Sequence, residues 1–324
     1  MTGTDRLDTV FVEAPARLHF GVLDLRGALG RWFGGIGAAA PEPTLLLSAH
    51  LHRTLGVEGE DAERAGQFAR AFLAHHDLRT GARISIHRAL PPHAGLGSGT
   101  QLALAVARAI AELHGLPTTA AALARAVRRA QRSAVGTWTF DGGGLVVEGG
   151  RRADVDGVGP LIARIPFPSS WRCVVAVPRR PPAISGADEA AAFAALPPPP
   201  VGEVEHVAHL VVMALLPALA DADLDGFGRA LTAIQATTGR WFASIQGGAF
   251  ARGPSEELVR RMVERGAPGV GQSSWGPAVY GIVDGENAGV RLADEVRAAL
   301  DHCGGGAVYE GPFRTTGARV WRSV

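Results

Sequence analysis

PPHAGLGSGTQ, residues 91–101, joins an alternating strand pattern to a long amphipathic helix. Leu102, Val106, Ala109, Ile110 and Leu113 recur at helical spacing behind it, and Gly115 ends the run ahead of Pro117. Gly95, Gly97 and Gly99 let backbone N–H groups converge on one point without a Cβ in the way. That point lies at a helix N-terminus, where unpaired donors and the helix dipole favour an anion, and Ser98 and Thr100 add hydroxyls. The guest this predicts is a phosphate.

Two familiar phosphate loops are excluded. The Walker pattern needs a lysine, and all 32 Lys+Arg residues of this chain are arginine. The dinucleotide fingerprint needs a third glycine that GLGSG does not supply in the required place.

Outward from the turn, Val10 to Leu25 reads as one or two strands, with Arg17 and His19 sharing one face and Leu18 and Phe20 the other. RGALGRWFGGIGAAA, residues 26–40, is rich enough in glycine to predict a loop, with Arg26 and Arg31 its charges and Trp32 and Phe33 its rings. A strand is expected at 44–52, a helix at 61–76 and a strand at 82–90. Downstream, a helix is expected over 119–132, then RSAVGTWTFDGGGLVVEGG at 132–150, then strands at 161–165 and 172–177. The PFPSS turn near Phe167 suggests a boundary between domains 1–166 and 167–324. Between its prolines, PRRPPAISGADEAAAFAALPPPP at 178–200 predicts a short acidic helix. Helices follow at 201–220, 225–239 and 255–265, then the Gly-rich PGVGQSSWGPAVYGIV at 268–283, a helix carrying Leu292, Val296 and Leu300, and a closing strand or strand pair at 307–321.

The bulk numbers bound the function. A chain of 324 residues has room for two domains, and 47% hydrophobic with 19% charged residues is a globular composition. A net charge of +1 gives no electrostatic case for nucleic acid or membrane. Cys173 and Cys303 stand far apart and no charged leader opens the chain, which suits a reducing cytoplasm; no membrane-spanning run is expected. The histidines lack Cys or carboxylate partners at ligand spacing, and His206 with His209 on one helix face lacks a third ligand. No metal ligands are assigned.

Three of these stretches, in this order, resemble the motifs of the GHMP kinase superfamily. Pro15, Ala16, Arg17 and His19 stand where the family carries Pro, a small residue, Lys and Asn; PPHAGLGSGTQ stands for its second motif and PGVGQSSWGPAVYGIV for its third. The resemblance implies an α+β, two-domain fold, with an N-terminal mixed α/β phosphate-loop domain and a C-terminal ferredoxin-like α/β sandwich. One departure matters. Mevalonate-type kinases carry Ser-Gly-Val-Asp, whose aspartate takes the substrate hydroxyl proton, where this chain has Ser133, Ala134, Val135 and Gly136. Glycine cannot be a base.

ARLHFGVLDL, GRWFGGIG, RSAVGTWTFDGGGLVVEGG, SGADEAAAF, SIQGGAF and GVGQSSWGPAVYG look like the family of β-ribofuranosylaminobenzene 5'-phosphate synthases rather than any kinase. That likeness implies transfer of a phosphoribosyl group from phosphoribosyl pyrophosphate to 4-aminobenzoate or 4-hydroxybenzoate, with loss of CO2 and pyrophosphate. It also implies Mg²⁺ and a homodimer. Under it, Gly95, Gly97, Ser98, Gly99 and Thr100 with Arg26, Arg31 and Arg132 are expected to hold phosphate groups. Arg17 is expected on the ribose phosphate or pyrophosphate, and His19 on a ribose hydroxyl or in proton handling. Trp32, Trp138 and Trp275, each inside a Gly-rich stretch, are candidate walls for the aryl ring. An arginine fork on the aryl carboxylate would stabilise the starting anion more than the transition state, so the neutral Gln272, Ser273 and Ser274 are its expected neighbours. Two rival readings remain open: an ATP-dependent kinase or decarboxylase with Asp141 as displaced base, and a sensor that binds sugar phosphates without turnover.

Overall fold

The computed structural model describes residues 8–323 apart from 153, 156, 180–190 and 194. The acidic helix expected within 178–200 therefore lies largely outside the described residues.

Two long strands carry the first layer. β1 (Thr9–Asp24) and β2 (Arg31–His52) pair antiparallel from Thr9↔His50 to Asp24↔Phe33. The register slips between Pro15 and Arg17 and again between His19 and Gly21, so the expected basic pair sits between two irregularities of its own strand. Such slips re-aim side chains. Leu18 and Phe20 turn inward and are fully buried, as the alternation requires.

The expectation of a loop at 26–40 is overturned, because β2 begins at Arg31 and runs straight through the glycines. Close approach is the physical reason. A Cβ on Gly37 would come 2.2 Å from the Leu18 carbonyl oxygen and 2.6 Å from Val135 Cγ1, and one on Gly35 would come 2.7 Å from Val135 Cγ2. The strand is glycine-rich so that its neighbours can touch its backbone.

The sheet continues with β3 (Gly56–Gly59), β4 (Gly81–Arg88), β5 (Leu145–Glu148), β6 (Arg151–Arg152), β7 (Leu161–Ile165) and the distant β12 (Arg319–Ser323), in the order β12-β1-β2-β4-β3 with β5 and β6 on β2 and β7 on β5. Helices α1 (Ala62–His75), α2 (Ser98–His114), α3 (Ala120–Ala126) and α4 (Val135–Gly142) complete this half. α2 is its spine: Leu102 to Ala107 and Ala109 to Ala111 are all buried. The helix expected to reach residue 132 stops at Ala126, and Arg128 and Ala130 take positive φ of 52° and 63°.

The second sheet is the four-stranded antiparallel β11-β8-β10-β9, made of β8 (Trp171–Pro178), β9 (Gly269–Gln272), β10 (Val279–Asp284) and β11 (Gly306–Pro312). With α5 (Val201–Ala220), α6 (Leu224–Trp241), the short α7 (Ala243–Gln246), α8 (Pro254–Glu264) and α9 (Glu286–His302), it forms the ferredoxin-like half. Strand alternation divides its core. Val174 and Ala176 face Leu258, Met262, Leu292 and Val296 of α8 and α9, while Cys173, Val175, Tyr280 and Ile282 face the larger core shared with the first half. Phe20 meets Tyr280 there, ring centroids 4.8 Å apart, a burial that stabilises by about 2–3 kcal/mol per ring.

Two further expectations are refined. The closing segment is a strand pair split between the sheets: β11 belongs to the second and β12 returns to β1, Thr9↔Ser323 to Glu13↔Arg319. α5 is long and apolar enough, by length and composition, to cross a membrane, although no such run was expected. Its Val207, Val211, Leu215 and Leu219 are buried in the core, while Val212, Met213, His206 and His209 are exposed.

Candidate active site

A cavity of about 330 Å³ opens where β1, the 91–101 turn, residues 128–133, the end of α6 and the turn after β9 meet. Arg17, His19, Thr100, Arg132, Gln272, Ser274 and Trp275 of the expected site residues line it. The structure thus brings together the three stretches that the sequence reading had joined by resemblance.

One end is an anion corner. Gly97, with φ of 72°, is the residue before α2, and its carbonyl receives the N–H groups of Thr100 and Gln101 at 3.0 Å each. Arg17 Nη1 donates to the Gly95 carbonyl at 3.0 Å, and its Nε would lie 3.6 Å from a Cβ on Gly97. Arg129 Nη2 donates to Thr100 Oγ1 at 3.2 Å, and Arg64 Nη2 donates to Ser98 Oγ at 3.4 Å while pairing with Asp61. Three guanidinium groups therefore surround a helix N-terminus. Arg64 and Arg129 escaped the sequence reading: one sits on α1, some thirty residues upstream, and the other in the VRRAQRS run that looked helical. Arg26 and Arg31, expected here, lie elsewhere and brace backbone, donating to the Pro199 carbonyl at 2.6 Å and the Gly150 carbonyl at 3.0 Å.

The other end is aromatic. Trp275 meets Phe242 edge-on at 4.9 Å and Phe193 at 5.3 Å, and Phe193 meets Phe33 at 6.0 Å. All four line the cavity, and the Arg132 guanidinium lies 5.1 Å from the Phe193 ring centroid. Trp32 stands outside this box in an adjoining cleft that shares Phe33, Gln131, Arg132 and Phe193. Trp138 is off the cavity in α4, its indole N–H donating to the Gly159 carbonyl at 2.8 Å. Asp141 is also off it, paired with Arg164 at 3.0 Å. Phe33, Phe193 and Phe242 were not singled out as walls, since a phenylalanine on an element's inner face carries no sign of which cavity it meets.

Hydrogen bonds lock the two ends together. Ser273 does not line the cavity; fully buried, it accepts the His19 N–H at 2.9 Å and donates to the Gly95 carbonyl at 2.7 Å. Ser274, at φ 56°, donates its N–H to the His19 carbonyl at 3.3 Å. The Gln272 side chain donates to Gln246 Oε1 at 3.1 Å and to the Ser274 carbonyl at 3.0 Å, and accepts the Ala251 N–H at 2.8 Å. Its amide is spent on holding the turn.

His19 is almost fully buried, and burial, with the neighbouring Arg17 charge, holds its imidazole well below the usual histidine range. It is neutral at pH 7. Its Nε2 lies 3.2 Å from Ser133 Oγ. Behind Ser133 sits Glu148, 1% exposed, which accepts the N–H groups of Ala134 at 3.1 Å and Gly150 at 2.8 Å, and the nearby Ser133 hydroxyl favours its ionised form. Burial pushes its carboxyl up to about 7 despite those bonds. Glu148 and Ser133 were absent from the expected site, because a lone Glu in a valine-rich strand gives no sequence signal.

Among the described residues the donor set does not fit a protein-held divalent cation: no Asp or Glu of theirs lines the cavity, and no group of three His, Cys, Asp or Glu is placed to hold a metal. A Cβ on Gly136, where a kinase would place its aspartate, would come 3.1 Å from Thr100 Cγ2. That position is filled by the phosphate turn itself.

Comparison with known proteins gives the same frame. Residues 63–143 match the family described as GHMP kinases N terminal domain, and 215–302 match GHMP kinases C terminal. The chain is 34% identical over 300 residues to a protein of Methanothermobacter thermautotrophicus named β-ribofuranosylphenol 5'-phosphate synthase, covering 85% of this chain and 89% of that one. A protein of the same name from Archaeoglobus fulgidus is 36% identical over 291 residues, covering 86% and 89%. Among solved structures, homoserine kinase from Cytophaga hutchinsonii aligns with a TM-score of 0.66 at 16% identity over 99% of this chain and 100% of that one. Mevalonate diphosphate decarboxylase from Staphylococcus aureus aligns at 0.65 with 13% identity over 98% and 99%. These last two likenesses are of fold.

The Glu148 carboxyl supplies a stability test. Folded, it keeps a proton up to about pH 7 that the unfolded chain, with an ordinary value of 4.5, releases earlier. Between those values the folded state binds more protons, so this group's contribution to stability falls as pH rises, by about 3 kcal/mol over the window. Urea denaturation of wild type and Glu148→Gln should show their stability difference moving in favour of the variant from pH 4.5 to 8. A difference independent of pH would contradict the burial of an ionisable carboxyl whose hydrogen bonds do not offset its desolvation.

Proposed function

The chain belongs to the GHMP kinase superfamily and, within it, to the family of the β-ribofuranosylphenol 5'-phosphate synthases, and from that premise and the cavity we infer a decarboxylating phosphoribosyl transfer. Phosphoribosyl pyrophosphate and 4-hydroxybenzoate or 4-aminobenzoate are the substrates. The observation that carries the reading is the division of one cavity into a helix N-terminus flanked by arginines and a box of four aromatic rings, with no carboxylate among the described residues of its lining.

The chemistry follows from that division. The bond from ribose C1' to the pyrophosphate oxygen breaks with its electron pair passing to oxygen, while Arg17, Arg64, Arg129 and the α2 N-terminus stabilise the growing charge. The ring carbon bearing the carboxylate gives an electron pair to C1'. The carbon–carbon bond to the carboxylate then breaks, its pair returns to the ring, and CO2 leaves. No hydroxyl has to be deprotonated for this balance, which accounts for Gly136. The aryl carboxylate lies beside neutral Ser274 rather than in an arginine fork, for the transition-state reason given above. Mg²⁺ would arrive as the pyrophosphate complex and so count as substrate, which agrees with the lack of a carboxylate among the described lining residues. A kinase reading with Asp141 as base has its candidate base outside the cavity, held by Arg164.

The protein acts in a reducing cytoplasm, where Cys173 and Cys303 stay as free thiols, and as a homodimer; a sedimentation mass of one chain would count against the dimer. Purified protein given phosphoribosyl pyrophosphate, Mg²⁺ and carboxyl-labelled aryl acid should release labelled CO2 and pyrophosphate in equal amounts. ATP hydrolysis coupled to an alcohol, with no CO2, would overturn the reading. Trp275→Ala removes one wall of the aromatic box and should raise the KM for the aryl acid roughly 5- to 30-fold, equivalent to about 1–2 kcal/mol, with little change for phosphoribosyl pyrophosphate. Equal losses for both substrates in a folded variant would remove the ring from the aryl site.

A further inference from the structure

Glu148, Ser133 and His19 stand in a line that runs from the core to the cavity, with Ser133 Oγ 3.2 Å from His19 Nε2. Glu148 closes β5 and is bonded to backbone on both oxygens, and two glycines make room for it. A Cβ on Gly35 would come 3.0 Å from its Oε1, and one on Gly159 would come 2.4 Å from its Oε2. Ser133 stands between the carboxyl and the imidazole, and its oxygen also receives the Val135 N–H at 3.3 Å. His19 turns Nε2 to Ser133, which leaves the Nδ1 edge for a ligand.

A hydroxyl has a single proton to give, and this makes the line directional. When Glu148 is ionised it can only accept, so Ser133 donates to it and accepts from His19, whose proton must then sit on Nε2. Nδ1 is left bare, an acceptor suited to a ribose hydroxyl. When Glu148 is protonated it donates to Ser133, Ser133 donates to Nε2, and the His19 proton moves to Nδ1, a donor suited to a phosphate oxygen. The total number of protons on Ser133 and His19 is the same in both arrangements; the one added resides on Glu148.

We propose that Glu148 is a positioning residue that, through Ser133, sets the tautomer of His19 and thereby decides whether the imidazole meets the substrate as acceptor or donor. It rests on the phosphoribosyl reading only for what the imidazole meets. The other charges nearby are accounted for. Burial, with the Arg17 charge on β1, keeps His19 neutral; Arg31 on β2 is bonded to the Gly150 carbonyl, Arg128 and Arg129 line the cavity with the latter bonded to Thr100, Arg132 precedes Ser133 and lies over Phe193, and Arg164 on β7 is bonded to Asp141. The Glu148 carboxyl, raised to about 7 by burial, titrates while His19 stays neutral, so the two tautomers interchange without an imidazolium between them.

Nitrogen NMR of protein labelled at histidine, with the His19 signals assigned by their loss in His19→Gln, reads this directly and without substrate. At pH 8.5 the wild type should show His19 with Nε2 protonated and Nδ1 bare, and at pH 6 the major tautomer should be the opposite one. Ser133→Ala should abolish the response to pH, and Glu148→Gln, whose amide donates at every pH, should hold Nδ1 protonated throughout. If the wild type carries the proton on Nδ1 at pH 8.5, or shows one tautomer at both pH values, the proposal fails, and this holds even if neither variant folds. Because the readout needs no turnover, its failure is separate from failure of the CO2 assay.

Discussion

The Ser273 hydroxyl accepts the His19 N–H and donates to the Gly95 carbonyl, fully buried between three segments that are remote in sequence. Around it, Arg17 N–H bonds the Leu96 carbonyl at 2.9 Å, Ala278 N–H bonds the Ala94 carbonyl at 3.1 Å, and Ser273 N–H bonds the Ala278 carbonyl at 2.9 Å. A Cβ on Gly95 would come 2.2 Å from the Ser273 carbonyl oxygen, so the contact exists only with glycine there. The phosphate turn is thus held by backbone of both halves. Its position does not depend on loop stiffness, and the two sheets cannot move apart without opening the anion corner.

That arrangement sets a cluster of guanidinium groups beside flat apolar walls in one cavity. The arginines on the lining come from the first half, on β1 and the turn after α3, with Arg64 of α1 behind them, whereas Phe242 and Trp275 come from the second half and meet Phe33 of β2 across the cavity. Each half supplies the side chains its own packing tolerates. Charge sits at the mouth of a helix that has to be capped anyway, and rings sit where α6 and the β9 turn already bury aromatic surface. The Gln235, Gln246 and Gln272 amides fill the seam with satisfied hydrogen bonds, which keeps the boundary polar without adding a charge that would compete with the substrate.

Much of this was legible in the sequence where a signal belongs to a single element. Strand alternation put Arg17 and His19 on one face, the glycine spacing of 95–99 marked the turn, and Gly136 marked the missing base. What escaped belongs to pairs of elements. Arg64 and Arg129 reach Ser98 and Thr100 from a helix and from the turn after α3, and nothing in their own surroundings says so. Trp138 looked like a wall because it stands among glycines, yet its indole N–H is spent on the Gly159 carbonyl. Glycine itself was ambiguous: in 26–40 it reads as a loop, and in the fold it marks a strand whose neighbours come too close for a Cβ.

β12 lies against β1, so the outer edge of the first strand is closed by residues 319–323. During synthesis that edge stays open until the entire ferredoxin-like half has been made, and an unpaired strand edge is a template for the wrong partner. Until then Glu13 and Arg88 put charge on this flank, and Arg314 and Arg319 join them only as β12 arrives. Pairing of such high contact order is slow to form. Completion of the first sheet is therefore a late event in folding, which ties the strand that carries Arg17 and His19 to the arrival of the second half.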